Sequence, residues 1–168
     1  MTTWLIIVEG PSDKGFIEGI TEKVGIKCKV KLMRGNRPEK AARIAKSYFR
    51  DTGKAIILKD LHRASRDVTS LINRFKNIII QLKNEGIESQ LIIVKRSIES
   101  WILAGLCVRN AEEIPDPEEK LKELMQKKGK CYIKSVETLR KLAKETDVEK
   151  AIEKSESFKK FIEALNIT

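Results

Sequence analysis

Residues 4–13 read Trp4-Leu5-Ile6-Ile7-Val8-Glu9-Gly10-Pro11-Ser12-Asp13. The first five residues form an unbroken apolar run of strand length, which is typical of a parallel strand buried on both faces. Glu9 and Gly10 end that run. Ser12 is then expected to cap a helix that extends to about Lys23, and Gly25, two residues later, is the signal that ends it. The stretch therefore predicts a β-strand, a tight turn and an α-helix.

The same alternation recurs three more times along the chain. Strands are predicted at about residues 28–33, 55–58 and 91–94, and helices at about residues 38–49, 67–84 and 98–107. This βαβαβαβα order predicts an α/β fold, a parallel sheet of about four strands with helices on both faces. Because its apolar residues alternate with lysines, the second strand is expected at an edge of the sheet.

The segment Ile114-Pro115-Asp116-Pro117 interrupts the alternation, and the pattern beyond it is helical. We therefore predict an α/β domain over residues 1–111 and a helical C-terminal extension over residues 112–168, packed on or next to it. The charge divides at the same place. The net charge of +10 belongs to residues 1–111, whereas residues 112–168 carry 13 basic and 13 acidic side chains. Such asymmetry favours a nucleic-acid partner, although a lysine-rich solubilising surface is an equal alternative.

Several classes of protein are excluded by composition. Cys28, Cys107 and Cys131 lie too far apart for a disulfide framework or a zinc ribbon, and one histidine excludes a multi-histidine metal site. No apolar run approaches the roughly 18 residues that a membrane span needs. The N-terminus leads directly into the first strand without a leader pattern, so we expect a cytoplasmic protein with no membrane partner.

Carboxylates follow three of the four predicted strands. Glu9 ends the first strand, Asp60 ends the third, and Glu99 follows the fourth, while Asp13 lies in the first turn of the first helix. The carboxyl ends of parallel strands meet at one edge of a sheet, so these side chains are expected to lie close together and to repel one another. A divalent cation would relieve that repulsion, and Mg²⁺ is typically held by one or two carboxylates together with phosphate oxygens.

Cationic side chains are predicted at the same edge, which favours a metal site that handles phosphate. The predicted nucleic-acid contacts are Arg34, Arg37, Lys59, His62, Arg63, Lys95 and Arg96. His62 is better interpreted as a loop residue or a phosphate contact than as a metal ligand, because Mg²⁺ prefers oxygen. The segment from Arg34 to Arg37 has a second interpretation, a solvated turn.

Structural roles are the alternative for each acid. Glu9 and Asp60 directly follow buried runs, where an unpartnered acid is costly, and this favours a functional role over a simple strand terminator. Asp13 and Glu99 serve equally well as first-turn partners of a helix dipole, a contribution of about 0.3–1 kcal/mol.

These motifs resemble the Toprim domain, an α/β module shared by topoisomerases, DnaG-type primases, OLD-family nucleases, RecR and ribosomal-RNA maturases. The resemblance covers about residues 1–107. It consists of Val8-Glu9-Gly10 followed by Asp13, an Asp60-x-His62 where Asp-x-Asp is usual, and Ser97-Ile98-Glu99-Ser100-Trp101, which resembles OLD-type and small stand-alone Toprim proteins.

The resemblance implies roles for individual residues. It assigns acid–base work or metal binding to Glu9 and metal binding to Asp60, with Asp13 and Glu99 as further ligands of Mg²⁺ or Mn²⁺. The histidine at position 62 departs from the family pattern. That departure leaves three schemes open: one-metal catalysis, a softer metal such as manganese, or binding without turnover.

Two functions follow as hypotheses. The first is metal-dependent phosphodiester cleavage on nucleic acid. The second is a non-catalytic DNA- or RNA-binding module that acts through its basic rim, within a larger complex. Because only 5% of residues are aromatic, a duplex or a structured RNA is favoured over base stacking on single strands. The apolar face of Phe158, Phe161, Ile162 and Leu165 allows a homo-oligomer contact or packing within the chain.

Overall fold

The computed structural model describes residues 3–35, 37–61 and 68–165, which form a four-stranded parallel sheet covered by helices on both faces. The predicted α/β fold class is confirmed. The strands are β1 (Trp4–Val8), β2 (Cys28–Leu32), β3 (Gly53–Leu61) and β4 (Ile87–Lys95). The helices are α1 (Pro11–Lys23), α2 (Pro38–Tyr48), α3 (Val68–Asn84), α4 (Ile98–Gly105), α5 (Pro117–Lys127), α6 (Val136–Glu145), α7 (Val148–Lys154) and α8 (Glu156–Leu165), with a 3₁₀ turn at Ala111–Glu113.

The strand order is β2-β1-β3-β4, so β1 and β3 are the central strands and β2 lies at an edge. The chain moves outward from β1 to β2 and then returns across β1 to start β3. The direction of winding therefore reverses between β1 and β3. In open parallel sheets, a crevice for ligands forms at such a reversal, beyond the carboxyl ends of the strands.

Each face of the sheet has its own hydrophobic core. On one side, which we call the α1 face, the alternate residues Ile6, Val8 and Leu58 pack with residues of α1 and α4. On the other side, the α2 face, Leu5, Ile7 and Ile57 pack with residues of α2 and α3. The continuous apolar run of β1 is explained by this arrangement, because all five of its residues are buried.

The C-terminal helices complete the core of the α1 face. Trp101 of α4 is fully buried, stacks on Phe161 at a ring-centroid distance of 5.4 Å and meets the edge of Phe158 at 5.1 Å. Its indole nitrogen donates a hydrogen bond of 2.8 Å to Ser157. The apolar side of α8 is therefore buried within the chain. No helix of the described ranges has the length and apolar character needed to cross a membrane.

Two glycines allow α6 to lie unusually close to α1. A Cβ at Gly15 would lie 2.3 Å from the carbonyl oxygen of Val136, and a Cβ at Gly19 would lie 2.6 Å from the Cβ of Ala143. Neither distance is compatible with van der Waals packing. This contact fixes α6, and the loop that precedes it, against the helix that follows Glu9.

Candidate functional site

Glu9 and Asp60 lie at the carboxyl ends of the two central strands, where the winding reverses. β1 and β3 are directly paired, with Ile7 opposite Ile57. Glu9 comes directly after β1 and Asp60 is the last residue but one of β3, so the two acids lie at the ends of neighbouring strands. Asp60 is only 4% exposed. It shares the side of β3 that carries Ile56 and Leu58, which belong to the core of the α1 face.

Asp13 is folded back towards the end of β1 by the start of α1. The helix begins at Pro11, and Gly10, not Ser12, is its N-cap residue. The backbone N–H of Gly10 donates a hydrogen bond of 3.1 Å to Oδ2 of Asp13. The expected cap at Ser12 is wrong because Pro11, with its fixed φ and missing N–H, suits the first helical position and starts the helix earlier.

The carboxylates influence one another electrostatically. Burial raises the pKa of Asp13 to about 6, and the charges of Glu9 and Glu99 add to that effect. Burial also raises the pKa of Asp60 well above its ordinary value, and the charges of Asp13 and Glu9 raise it further. The structure therefore brings these four acids within electrostatic reach of one another, and we call them the carboxylate cluster.

Glu99 differs from the other members because three side chains hold its carboxylate. Its side chain is fully buried. Ser97 Oγ donates to Oε2 at 2.7 Å, while Tyr132 Oη and Lys134 Nζ approach Oε1 at 3.1 and 3.0 Å. Burial by itself raises the pKa of Glu99, but the Ser97 hydrogen bond and the Lys134 charge outweigh it and hold the pKa below the ordinary value. Glu99 is thus an ionised carboxylate already paired with a cation.

A second lysine, Lys59 of β3, interacts with the cluster electrostatically. Lys59 is 4% exposed, and its ammonium donates a hydrogen bond to the carbonyl oxygen of Asp60. Burial lowers the pKa of this ammonium, whereas the charges of Glu9 and Asp60 raise it. Lys59 is therefore buried, unlike the exposed cations Arg34, Arg37 and Lys95 that were predicted with it as nucleic-acid contacts.

The carboxylate cluster offers oxygen donors, which are the ligands that Mg²⁺ prefers. Within residues 3–35, 37–61 and 68–165, no three Asp, Glu, His or Cys side chains stand already arranged as metal ligands. The raised pKa values of Asp13 and Asp60 nevertheless show carboxylates whose charge needs compensation. Mg²⁺ commonly takes one or two carboxylates and completes its shell with water and phosphate oxygens. The residues present suit that kind of site better than an all-protein cage.

Cations flank the cluster on two sides. Arg34 and Arg37 follow β2, Lys95 is the last residue of β4, and Arg96 follows it; Arg96 is half-buried and the other three are exposed. The two outer strands are three strand spacings apart, about 14 Å. Arg34 and Arg96 both have positive φ, 55° and 70°, a conformation that is strained for a side chain other than glycine and is often kept at functional sites. His62 and Arg63, the remaining predicted contacts, lie outside the described residues.

A cavity of about 310 Å³ opens beside Glu99. Arg96, Ser97 and Lys134 line one part of it, and residues 115–118 line the rest. Two cations from distant parts of the chain therefore share one concave surface next to the carboxylate cluster. Two acids, Asp116 and Glu118, line the same surface, and Oε2 of Glu118 lies 3.8 Å from Nζ of Lys134.

Comparison with known proteins gives a likeness of fold. No protein-family model and no curated protein sequence matches this chain. The solved structure of the C-terminal region of the Burkholderia pseudomallei OLD protein is similar to it over 96% of this chain and 96% of that one, with a TM-score of 0.56 and 12% sequence identity. The fold is OLD-like.

The OLD-like fold extends further than the sequence motifs did. The motifs covered about residues 1–107, whereas the structural similarity includes the C-terminal helices. It agrees with the predicted α/β fold and its helical C-terminal extension.

Sequence reasoning missed three residues of this site. Tyr132 and Lys134 carry no local signal, because they lie in a loop 33 and 35 positions after the glutamate that they contact. Ser97 did carry a signal: a serine two residues before a glutamate at the start of a helix is placed to hydrogen-bond with it.

Proposed function

We propose that this protein cleaves a phosphodiester bond of nucleic acid, using a divalent cation held at the carboxylate cluster. The observation that carries the proposal is the convergence of the carboxylate cluster, in which Asp60 and Glu99 are buried and burial raises the pKa of Asp13 and of Asp60. The cluster lies at the reversal of the sheet, where an α/β fold places its ligands, and between two groups of cations. The OLD-like fold supports the nucleic-acid substrate.

The proposed roles follow from position and charge. Glu9 and Asp60, at the tips of the central strands, would hold the cation, which when bound would supply polarisation of a phosphate and activation of a water molecule. Asp13, whose pKa of about 6 lies close to neutral, is suited to accept a proton from that water. Arg96 and Lys134 would bind the scissile phosphate in the cavity that they share with Asp116 and Glu118.

Glu99 is a positioning residue in this scheme. Its ionised carboxylate holds Lys134 at the edge of the cluster, 3.0 Å from Oε1. The same ion pair favours a second candidate, a nucleic-acid-binding module without turnover. In that candidate, Lys134 and Lys59 supply the positive charge that a metal would bring, and the flanking cations bind phosphates.

The test is incubation of the purified protein with plasmid DNA and with a structured RNA, in Mg²⁺, Mn²⁺ or a chelator. We expect cleavage that requires the divalent ion. The variants Glu9→Gln and Asp60→Asn should lose at least 100-fold in rate, and without metal neither should melt at a lower temperature than the wild type. Glu123→Gln, an exposed change of the same kind on α5, should cleave at the wild-type rate.

A binding measurement separates the two candidates. Mn²⁺ should strengthen oligonucleotide binding by the wild type and should not do so in Asp60→Asn. Cleavage in the chelator, or full activity of both variants, would contradict the metal assignment. Intact but retarded nucleic acid, with the same affinity in metal and in chelator, would establish the module without turnover.

A further inference from the structure

The positive charge of this protein is concentrated in one short segment. Residues 27–50 contain nine lysines and arginines against one glutamate, which accounts for +8 of the total net charge of +10. The single acid, Glu39, is already paired with a cation outside the segment, because both of its carboxylate oxygens lie 2.7 Å from a guanidinium nitrogen of Arg74. The segment consists of β2, α2 and the turn between them, so the charge lies along one edge of the sheet.

The fold turns that segment into a groove. Lys31 shares a side of β2 with Lys29, at the uncovered edge of the α2 face, since Val30 between them points into the opposite core. α2 lies against the sheet through Ala41, Ala42 and Ala45, whose small side chains permit close packing. A cavity of about 550 Å³ remains between the strand and the outer side of the helix. It is lined by Lys31, Lys40, Arg43, Ile44, Ser47 and Tyr48.

The lining combines two kinds of group. Three residues are cations, and among the residues that the structure describes no ion pair within 4.0 Å joins Lys31, Lys40 or Arg43 to an acid. Tyr48 is 38% exposed although it is a large aromatic residue, and Ile44 adds an apolar surface beside it. On α2, positions 40, 43, 44 and 47 form one stripe along the helix.

We propose that this groove binds a single-stranded segment of nucleic acid, with phosphates on Lys31, Lys40 and Arg43 and a base against Tyr48. Cations on both sides of a groove can bind successive phosphates of a strand, and an exposed aromatic ring stacks with any base. A duplex is less suitable, because its stacked bases cannot enter a concave apolar surface. An acidic peptide would use the cations but would give Tyr48 and Ile44 no regular partner.

This inference rests on the proposed nucleic-acid function and adds the form of the substrate. Arg34 and Arg37 lie between the end of β2 and the start of α2, at the carboxyl edge of the sheet where the carboxylate cluster also lies. The low overall aromatic content argued against base stacking, but the structure leaves one aromatic ring exposed among cations.

The experiment is fluorescence anisotropy with a labelled 20-nucleotide oligo-dT, its duplex with oligo-dA, and inorganic polyphosphate as a competitor, all in chelator. Tyr48→Ala should weaken binding of the single strand about tenfold and leave the duplex and polyphosphate unchanged. Tyr48→Leu, which keeps an apolar side chain against Phe49, should show the same loss, which excludes a simple folding defect.

The triple variant Lys31→Gln, Lys40→Gln, Arg43→Gln should lower the slope of log affinity against log salt by about 2. Its matched control removes three exposed lysines of α7 and α8: Lys154→Gln, Lys159→Gln, Lys160→Gln. Equal effects of the two triple variants would overturn the groove, as would displacement of the oligonucleotide by polyglutamate as readily as by unlabelled oligo-dT.

Asp60→Asn separates this proposal from the preceding one. If the groove binds single strands but the protein does not cleave nucleic acid, both triple-variant results hold although the wild type never cleaves. If the protein cleaves nucleic acid but the groove does not bind it, Asp60→Asn loses metal-dependent cleavage while the groove variants bind as the wild type does.

Discussion

Glu99 has no exposed side-chain surface, yet it stays ionised because Ser97 and Lys134 stabilise its charge more than burial destabilises it. A buried carboxylate of this kind depends on its partners, since removing one of them leaves an uncompensated charge. Lys134 itself is about one-third exposed, so solvent weakens the pair to some extent.

Replacement of Lys134 tests that dependence. We expect Lys134→Met to lower the free energy of unfolding at pH 7 by about 2 kcal/mol, because Glu99 loses its only cation within 4.0 Å among the described residues. In a Glu99→Gln background the same replacement should cost less than about 0.5 kcal/mol. Urea denaturation of the four proteins measures both numbers, and additive effects would contradict the pairing.

Asp13 should make the metal-free protein less stable as the pH rises. Burial raises its pKa in the folded protein to about 6 from an ordinary value of 3.8, so the folded state binds more protons than the unfolded state between those values. The free energy of unfolding therefore falls as the pH increases from about 4 to beyond 6.

The variant Asp13→Asn keeps the acceptor for the Gly10 N–H but cannot ionise. Without metal at pH 7, its free energy of unfolding should exceed that of the wild type by about 1–3 kcal/mol, and the difference should vanish near pH 4. Denaturation curves between pH 4 and pH 8 provide the measurement, with Glu123→Gln as the surface control. A constant difference across this range would contradict the raised pKa.

At the scale of elements, the contact between α1 and α6 positions the loop that carries Tyr132 and Lys134, because α6 begins directly after it. Gly15 permits that contact. A methyl group there would meet the backbone of Val136 at 2.3 Å, and a backbone atom cannot move aside as a flexible side chain can.

Gly15→Ala should therefore lower the free energy of unfolding by about 1–3 kcal/mol, although alanine is the better helix former. Gly10→Ala is the matched control, since the nearest atom to its Cβ is 3.9 Å away and its φ of −141° suits any residue. Its effect should stay below about 1 kcal/mol. Equal effects in urea denaturation would show that packing against α6 is not the cause.

Hydrophobic periodicity predicted the bounds of some strands more closely than those of others. β1 was predicted at its observed bounds because all five residues are buried, which leaves an unbroken apolar run. β3 and β4 are longer than predicted, since their polar residues, such as Lys54, Lys59 and Glu88, lie within the paired strands. Pairing in a sheet satisfies the backbone of such residues whatever their polarity, and a period-based prediction does not register it.

At the scale of the whole molecule, the C-terminal helices and the sheet share a single hydrophobic core on the α1 face. Phe158 and Phe161 pack directly on Trp101, which itself packs near Phe16 of α1. Residues beyond 111 therefore cover apolar surface that the preceding part of the chain would otherwise expose to water.

A fragment of residues 1–111 should consequently lack cooperative folding. We expect it to show no sigmoidal thermal transition and to bind a hydrophobic dye, whereas the full chain melts in one step. Circular dichroism and dye fluorescence of the two proteins provide the comparison. A fragment that melts cooperatively would show that the α/β part folds independently of the helices.

The local pattern of residues was sufficient to predict the alternation of strands and helices and the position of Glu9 and Asp60 at a common edge of the sheet. Both depend on short-range periodicity and on the rule that parallel strands end together. The ion pair of Glu99 with Lys134, the buried position of Lys59 and the groove beside α2 depend instead on which distant surfaces pack together. Such contacts join residues far apart in the chain, and the energy that selects them arises from close packing and desolvation in three dimensions.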